Sequence, residues 1–196
     1  KAKLIPIFPK SIRKEPYCSN LKFRNALKYI GISKVIKELQ KIDVDIIHNH
    51  IGWRFLPFAS FLSAPTLTTL HGPLNIPYQQ FVYGRFKKFR YVSISRSQRT
   101  PLPTLNYAAN VYNGLDIKNF EFNEKPNANY LSFLARMSPE KGPVQAIKAA
   151  KIAGLKLKMA AKIDTVNVEF FNKKVKPLIN NKQIKFIGEI SRKEKS

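Results

Sequence analysis

The sequence predicts an α/β fold of two parallel-sheet domains, on three observations. Short β-prone runs alternate with segments of helical spacing along nearly the whole chain, the pattern of strands joined by crossover helices. Histidines, glycines and cations gather just after the strand-like runs, where open α/β sheets carry their ligands. A polar stretch without periodicity, Phe120 to Asn129, separates one series of alternations from the next and is the expected linker between domains at 1–119 and 130–196.

The elements follow in order. Lys3 to Phe8 is an apolar run of strand length that Pro6 weakens or moves to a sheet edge. It starts without a preceding turn, as if cut from something longer. Leu21 to Ile42 places Leu21, Phe23, Leu27, Ile30, Val35, Ile36 and Leu39 at helical spacing, with Gly31 as a point of division. Asp43 to His50 is a strand that turns polar at its end, Trp53 to Ser63 a short helix stopped by Pro65, and Thr66 to Leu70 a strand closing on His71-Gly72. Pro73 to Phe89 reads as loop and partial helix, Arg90 to Ser95 as a strand, and Ala108 to Tyr112 as another, ending at the turn-forming pair Asn113-Gly114. Beyond the linker come a strand from Tyr130, a turn closed by Lys141-Gly142 and a helix to Ala150. Leu155 to Ala160 is the next strand, Val166 to Ile179 a helix and Gln183 to Ile187 a strand. A charged tail follows.

Composition narrows the class. The 196 residues are 44% hydrophobic, which suits a globular core and argues against disorder. Cys18 stands alone, so no internal disulfide and no cysteine cage for a metal can form, and a reducing cytoplasmic setting fits. No apolar run reaches the roughly 20 residues needed to span a bilayer. The net charge of +23 attracts phosphorylated ligands, anionic lipid and nucleic acid alike. Its lysines are scattered, and no zinc-finger spacing, RNA-binding motif or long basic helix accompanies them, so nucleic acid has charge in its favour and no reading element. A compositionally biased genome and a functional basic face explain the lysines equally well. A non-catalytic basic module docking on an anionic membrane is the alternative to an enzyme.

The chemistry concentrates in two places. Arg136 and Lys141 lie in the turn between a strand and a helix, where a planar guanidinium, a point-charge ammonium and free N–H groups suit a diphosphate. Taken alone they read first as solvated loop cations. His71, after a threonine-rich strand and before Gly72, is either a strand-end cap or a group able to donate to a substrate hydroxyl and move a proton. His48 and His50 stand two apart on one strand face, yet no third ligand of suitable spacing joins them for a metal site. Asn113 and Asp116 read as turn formers, and Trp53 as core or as a face for stacking on a sugar.

Taken in order, DIIHNHIGWRFLPFASFL, His71-Gly72 after TLTTL, YVSISRSQR, VYNGLD, ARMSPEKG, KMAAKID and IKFIGEI resemble family 4 of the retaining glycosyltransferases, over most of the chain from Val44 to Lys195. The resemblance implies a GT-B architecture: two Rossmann-like domains, the second holding a nucleotide-sugar donor such as a UDP-, GDP- or ADP-sugar, with no essential metal and no further cofactor. By position, Arg136 and Lys141 match the pair that contacts the donor diphosphate and neutralises the leaving group. His71 matches a histidine lining the sugar site, and Ile187, Gly188 and Glu189 match the turn beside the nucleotide base. The chemistry implied is transfer with retention, in which the donor phosphate takes the acceptor's proton. Some members use a basic face to reach lipid acceptors, so a peripheral membrane location goes with this reading. Three departures stand out. No glycine-rich loop precedes Lys1, no pair of sugar-gripping glutamates follows Glu189, and Ala135 and Ala161 replace the usual glycines. Both domains are therefore expected to be incomplete and the chain inactive by itself.

Overall fold

The computed structural model describes residues 3–18, 20–120, 122–125 and 129–191, the side chains of residues 13 and 119 excepted. The chain divides into two compact units, Lys1–Gly114 and Leu115–Ser196.

In the first unit, β1 (Ile47–Asn49), β2 (Thr66–Thr69), β3 (Arg90–Ser93) and β4 (Tyr107–Asn110) form one sheet in sequence order. All neighbours pair in parallel. Parallel neighbours need a crossover between each pair, so all four carboxyl ends emerge at one edge of the sheet. The crossovers are a 3-10 turn at Gly52–Phe55 leading into the single-turn α2 (Leu56–Ala59), then α3 (Pro77–Arg85), then short turns. Ahead of β1 runs α1 (Leu21–Leu39), whose first amides Lys22 and Phe23 are capped by Asn20 Oδ1 at 2.9 and 3.4 Å. Its apolar side, with Ile32, Val35, Ile36 and Leu39, packs on Ile47, Phe55 and Ala59. A second cluster of Leu56, Leu70, Leu74, Tyr83, Tyr91 and Leu105 fills the other part of the unit, with Trp53 packed against it. Each such buried side chain contributes about 1.5–3 kcal/mol.

In the second unit, β5 (Tyr130–Leu134), β6 (Lys156–Ala160) and β7 (Ile184–Gly188) pair in parallel in the same sequential way. The crossover from β5 to β6 is α4 (Pro143–Ile152). Along β6, Leu157 and Met159 turn inward while Lys156 and Lys158 face out, and the inward pair meets Met137, Ile147, Ala150, Phe171, Val175 and Ile184.

Several expectations change. Lys3 to Phe8 is not a strand. It lies against α1 without pairing, the Phe8 ring so close to Gly31 that a Cβ there would stand 2.9 Å from it. Gly31 therefore does not divide α1; it makes room within one continuous helix. The strand expected over Asp43 to His50 pairs only at Ile47–Asn49. The helix expected over Trp53 to Ser63 shrinks to a 3-10 turn and one α-turn. Asn113-Gly114 forms no tight turn, and Gly114 keeps away from positive φ. Asp116 instead caps a 3-10 turn at Ile117–Asn119, accepting from Lys118 N at 3.3 Å. The helix expected over Val166 to Ile179 is broken. α5 (Val168–Phe170) passes into a π-turn at Phe171–Val175 and a 3-10 turn at Lys176–Leu178, where Pro177 offers no N–H to continue it. Of the expected linker, residues 121 and 126–128 lie outside the described residues, as do residues 192–196 of the tail. Among the described residues no helix is long and apolar enough to cross a membrane.

Candidate functional site

Chemistry-bearing side chains collect at the carboxyl edge of each sheet, and each edge is described by itself.

In the first unit the organiser is Asn49, the buried last residue of β1. Its Nδ2 donates to Thr68 Oγ1 at 3.0 Å and to the Gly52 carbonyl at 3.1 Å, while its Oδ1 accepts from Ile51 N at 2.8 Å. One amide thus folds the loop after β1 and ties it to β2. Gly52 completes the bend at φ +77°, a conformation that favours glycine. The bend delivers His50 to the end of β2, where its Nδ1 lies 2.8 Å from His71 Nε2. One of these nitrogens must carry the shared proton and the other accept it. His48, on the same strand face, bonds Thr69 Oγ1 at 2.8 Å through Nε2, and its ring centre lies 4.2 Å from that of His50. Burial, then His50 and His71, push its pKa below the ordinary histidine value.

Sequence separation hid the fact that His71 joins His48 and His50. Only His50 and His71 of the three are hydrogen-bonded ring to ring, and among the described residues no group of three or more His, Cys, Asp or Glu side chains is arranged to hold a metal ion. Beside His71 a hollow of about 360 Å³ opens between the loops after β2 and β3, with Gly72, Asn75, Ser95 and Gln98 on its wall. Gln98 fixes both loops: its Nε2 donates to the carbonyls of Leu70 and Gly72 at 3.0 and 2.8 Å, and its Oε1 accepts from Ile94 N at 2.9 Å. Nothing in its local sequence marked it. Arg99 reaches back to Ser93 Oγ at 2.7 Å, and Ser93 in turn bonds Asn110 Oδ1 at 2.9 Å, so the ends of β3 and β4 are also joined.

In the second unit the turn after β5 carries Arg136, Ser138, Glu140 and Lys141 into α4. Pro139–Lys141 is a 3-10 turn, and Gly142 at φ +70° redirects the chain so that Pro143 begins the helix. A proline there forfeits no helical bond, and the following amides point out of the helix end. Arg136 faces two carboxylates, Glu140 Oε1 at 3.4 Å and Asp164 Oδ2 at 3.9 Å. Both contacts are long and the Arg136 side chain is 57% exposed, so they hold it weakly. The Ser138 hydroxyl, followed by backbone hydrogen bonding and the charges of Arg136 and Lys141, keeps the Glu140 carboxyl below the usual range. Lys141 is exposed and makes no ion pair among the described residues.

The third expected group also reaches this edge. β7 ends at Ile187 and Gly188, the latter at φ +80°, and its carbonyl accepts from Ala161 N at 2.8 Å. Glu189 then lines a small hollow of about 50 Å³ with Leu134, Ala135, Ala160 and Ala161. The ends of β5, β6 and β7 therefore meet around it, and the two alanines form part of its wall. His71 belongs to the other unit.

No protein-family model matches the sequence, and no curated protein matches it. Solved structures match in fold. AviGT4, a glycosyltransferase involved in avilamycin A biosynthesis, is 20% identical with a TM-score of 0.57, over 82% of this chain and 45% of its own. A glycosyltransferase from Rickettsia africae ESF-5 is 20% identical with a TM-score of 0.56, over 93% of this chain and 54% of its own. TarM of S. aureus, solved with fondaparinux, alpha-GlcNAc-glycerol and UDP, is 14% identical with a TM-score of 0.58, over 82% and 37%. The chain spans about half the length of these structures or less. At such identities the match defines a fold: two Rossmann-like parallel α/β units of the GT-B glycosyltransferase type.

Proposed function

We propose that the chain is part of a retaining glycosyltransferase of family 4, moving a sugar from a nucleotide-sugar donor to an acceptor. Residues 1–119 serve as the acceptor-side domain, 120–129 as linker and 130–196 as the donor-side domain. The observation that carries this reading is the turn from β5 to α4, which offers a guanidinium, an exposed ammonium and the open end of a ten-residue helix on one edge. A diphosphate carries the charge and the acceptor oxygens such a turn lacks.

In this reading Arg136 and Lys141 hold the donor diphosphate and stabilise the charge that grows on it as the glycosidic bond breaks. Arg136 has only weak internal partners to give up. The Ile187, Gly188 and Glu189 turn contacts the base, chiefly through backbone groups. His71 faces the sugar, with His50 setting which of its nitrogens carries the proton. The donor phosphate receives the acceptor's proton. Calorimetric titration with UDP, GDP and ADP tests the donor site: at least one binds, and Arg136→Ala or Lys141→Ala weakens it at least tenfold. Equal affinities in both variants reject the assigned roles.

A second reading, contact with an anionic membrane, draws support from α1, where Leu21 and Phe23 are exposed beside Lys22. Co-sedimentation with phosphatidylglycerol vesicles at low salt tests it, and its absence removes it.

A further inference from the structure

The start of α1 and the loop after β1 bring together three cations that the donor site does not use. Arg24 and Lys28 are one turn apart on α1, on the same side of the helix. Arg54 lies in the 3-10 turn that leaves β1, its guanidinium 4.7 Å from the centre of the Trp53 ring. The later turns of α1, Ile32 to Leu39, pack along β1 and α2. Seven residues separate Leu39 from β1, so α1 returns to the amino end of that strand and its first turns lie toward the carboxyl edge. That is the edge of His50 and His71.

All three cations are half-buried, and none makes an ion pair among the described residues. The acids that do pair, Glu38, Glu140, Asp164 and Glu169, serve other cations. Arg24 Nε is buried with no hydrogen-bond acceptor. The pKa of Lys28 is lowered, by burial first, then by the charges of Arg54 and Arg24. The other described lysines are exposed, and Lys41 and Lys173 among them have carboxylate partners. Like charges gathered out of water destabilise the fold unless a counter-charge joins them.

We infer that Arg24, Lys28 and Arg54 form an anion subsite at the carboxyl edge of the first unit, which takes a phosphate group carried by the acceptor. A phosphate monoester brings close to two negative charges and three strong acceptor oxygens, enough for two guanidinium groups and an ammonium. A carboxylate would leave most of that charge unanswered. The acceptor so held would present its hydroxyl to His71 on the same edge. The assignment rests on the sugar-transfer reading only in calling the phosphate part of an acceptor.

Trp53 is the chain's only tryptophan and lies under Arg54, so its fluorescence reports on the surroundings of this subsite in the first unit. Inorganic phosphate and glycerol 3-phosphate, titrated into the full chain at constant ionic strength, are expected to change it saturably, with chloride giving no such curve. The double variant Arg24→Gln/Lys28→Gln weakens the response at least tenfold, Lys28→Arg retains it, and Arg136→Ala leaves it intact. Lack of a saturable response, or an unaltered curve in the double variant, overturns the subsite. So does a response to phosphatidylglycerol vesicles alone, which marks a general membrane-facing surface. UDP titration of the same proteins reads the donor site separately, so either assignment can fail without the other.

Discussion

Asn49→Ala tests how the first unit builds its edge. The amide makes three hydrogen bonds inside the fold, at 2.8, 3.0 and 3.1 Å, and the residue is 4% exposed. A hydrogen bond of this kind contributes about 1 kcal/mol net, so losing all three costs roughly 3 kcal/mol. The buried Thr68 Oγ1 also loses its donor, which water cannot replace at a fully covered atom. Urea unfolding followed by Trp53 fluorescence reports the unit that holds both residues, and the expected fall in stability is about 3 kcal/mol with an unchanged slope. Asn49→Asp keeps the shape and the acceptor to Ile51 but loses both donated bonds, and should cost nearly as much. A loss below about 0.5 kcal/mol in Asn49→Ala would refute the claim that this side chain holds the loop.

Two further outcomes follow from the same geometry. His48 has a pKa below its ordinary value, so the unfolded chain takes up this proton at higher pH than the folded one. Its contribution is present above the unfolded value, near pH 6.5, and is lost as pH falls through the folded value. The urea midpoint of the first unit should therefore drop between pH 7.5 and 5.5, less steeply in His48→Gln; a midpoint that rises on acidification contradicts the shift. In the second unit, Glu140→Gln frees Arg136 from one weak partner. Exposed pairs contribute about 0.2–1 kcal/mol, so affinity for UDP should rise by up to about fivefold, and a tenfold loss by calorimetry would show that the carboxylate supports the site.

The alternation of β-prone and helical runs revealed the parallel sheets because crossover connections enforce it, and six of the seven strands fall within about two residues of where the sequence places them. Misreadings arose where a tertiary partner decided the outcome. Gly31 looks like a helix break until the Phe8 ring is seen to need its missing side chain. Lys3 to Phe8 has the apolarity of a strand, but Pro6 offers no N–H and the segment lies against α1 instead. Asn113-Gly114 carries turn chemistry and forms no turn, since a dipeptide preference does not bind the chain when Asp116 caps the next turn.

Site residues divide in the same way. That Arg136, Lys141 and Gly142 share the turn before α4 was legible because turn, cation and helix start are contiguous. The His50–His71 contact joins residues 21 apart, and Gln98 acts on loops 26 and 28 residues away, so local sequence carried no trace of either. Arg24, Lys28 and Arg54 were masked by abundance. What marks them is half-burial without an ion pair among the described residues, together with the unpartnered Arg24 Nε and the mutual repulsion felt by Lys28.

The central claim is that the turn from β5 to α4 receives a diphosphate. Amide resonances of Lys141, Gly142, Val144 and Gln145, followed by NMR while UDP is titrated into the chain, test it most directly. The account predicts saturable shifts centred on these four amides, abolished when Arg136 and Lys141 are both alanine. Shifts that saturate elsewhere while these amides stay still, or that persist in the double variant, would contradict it.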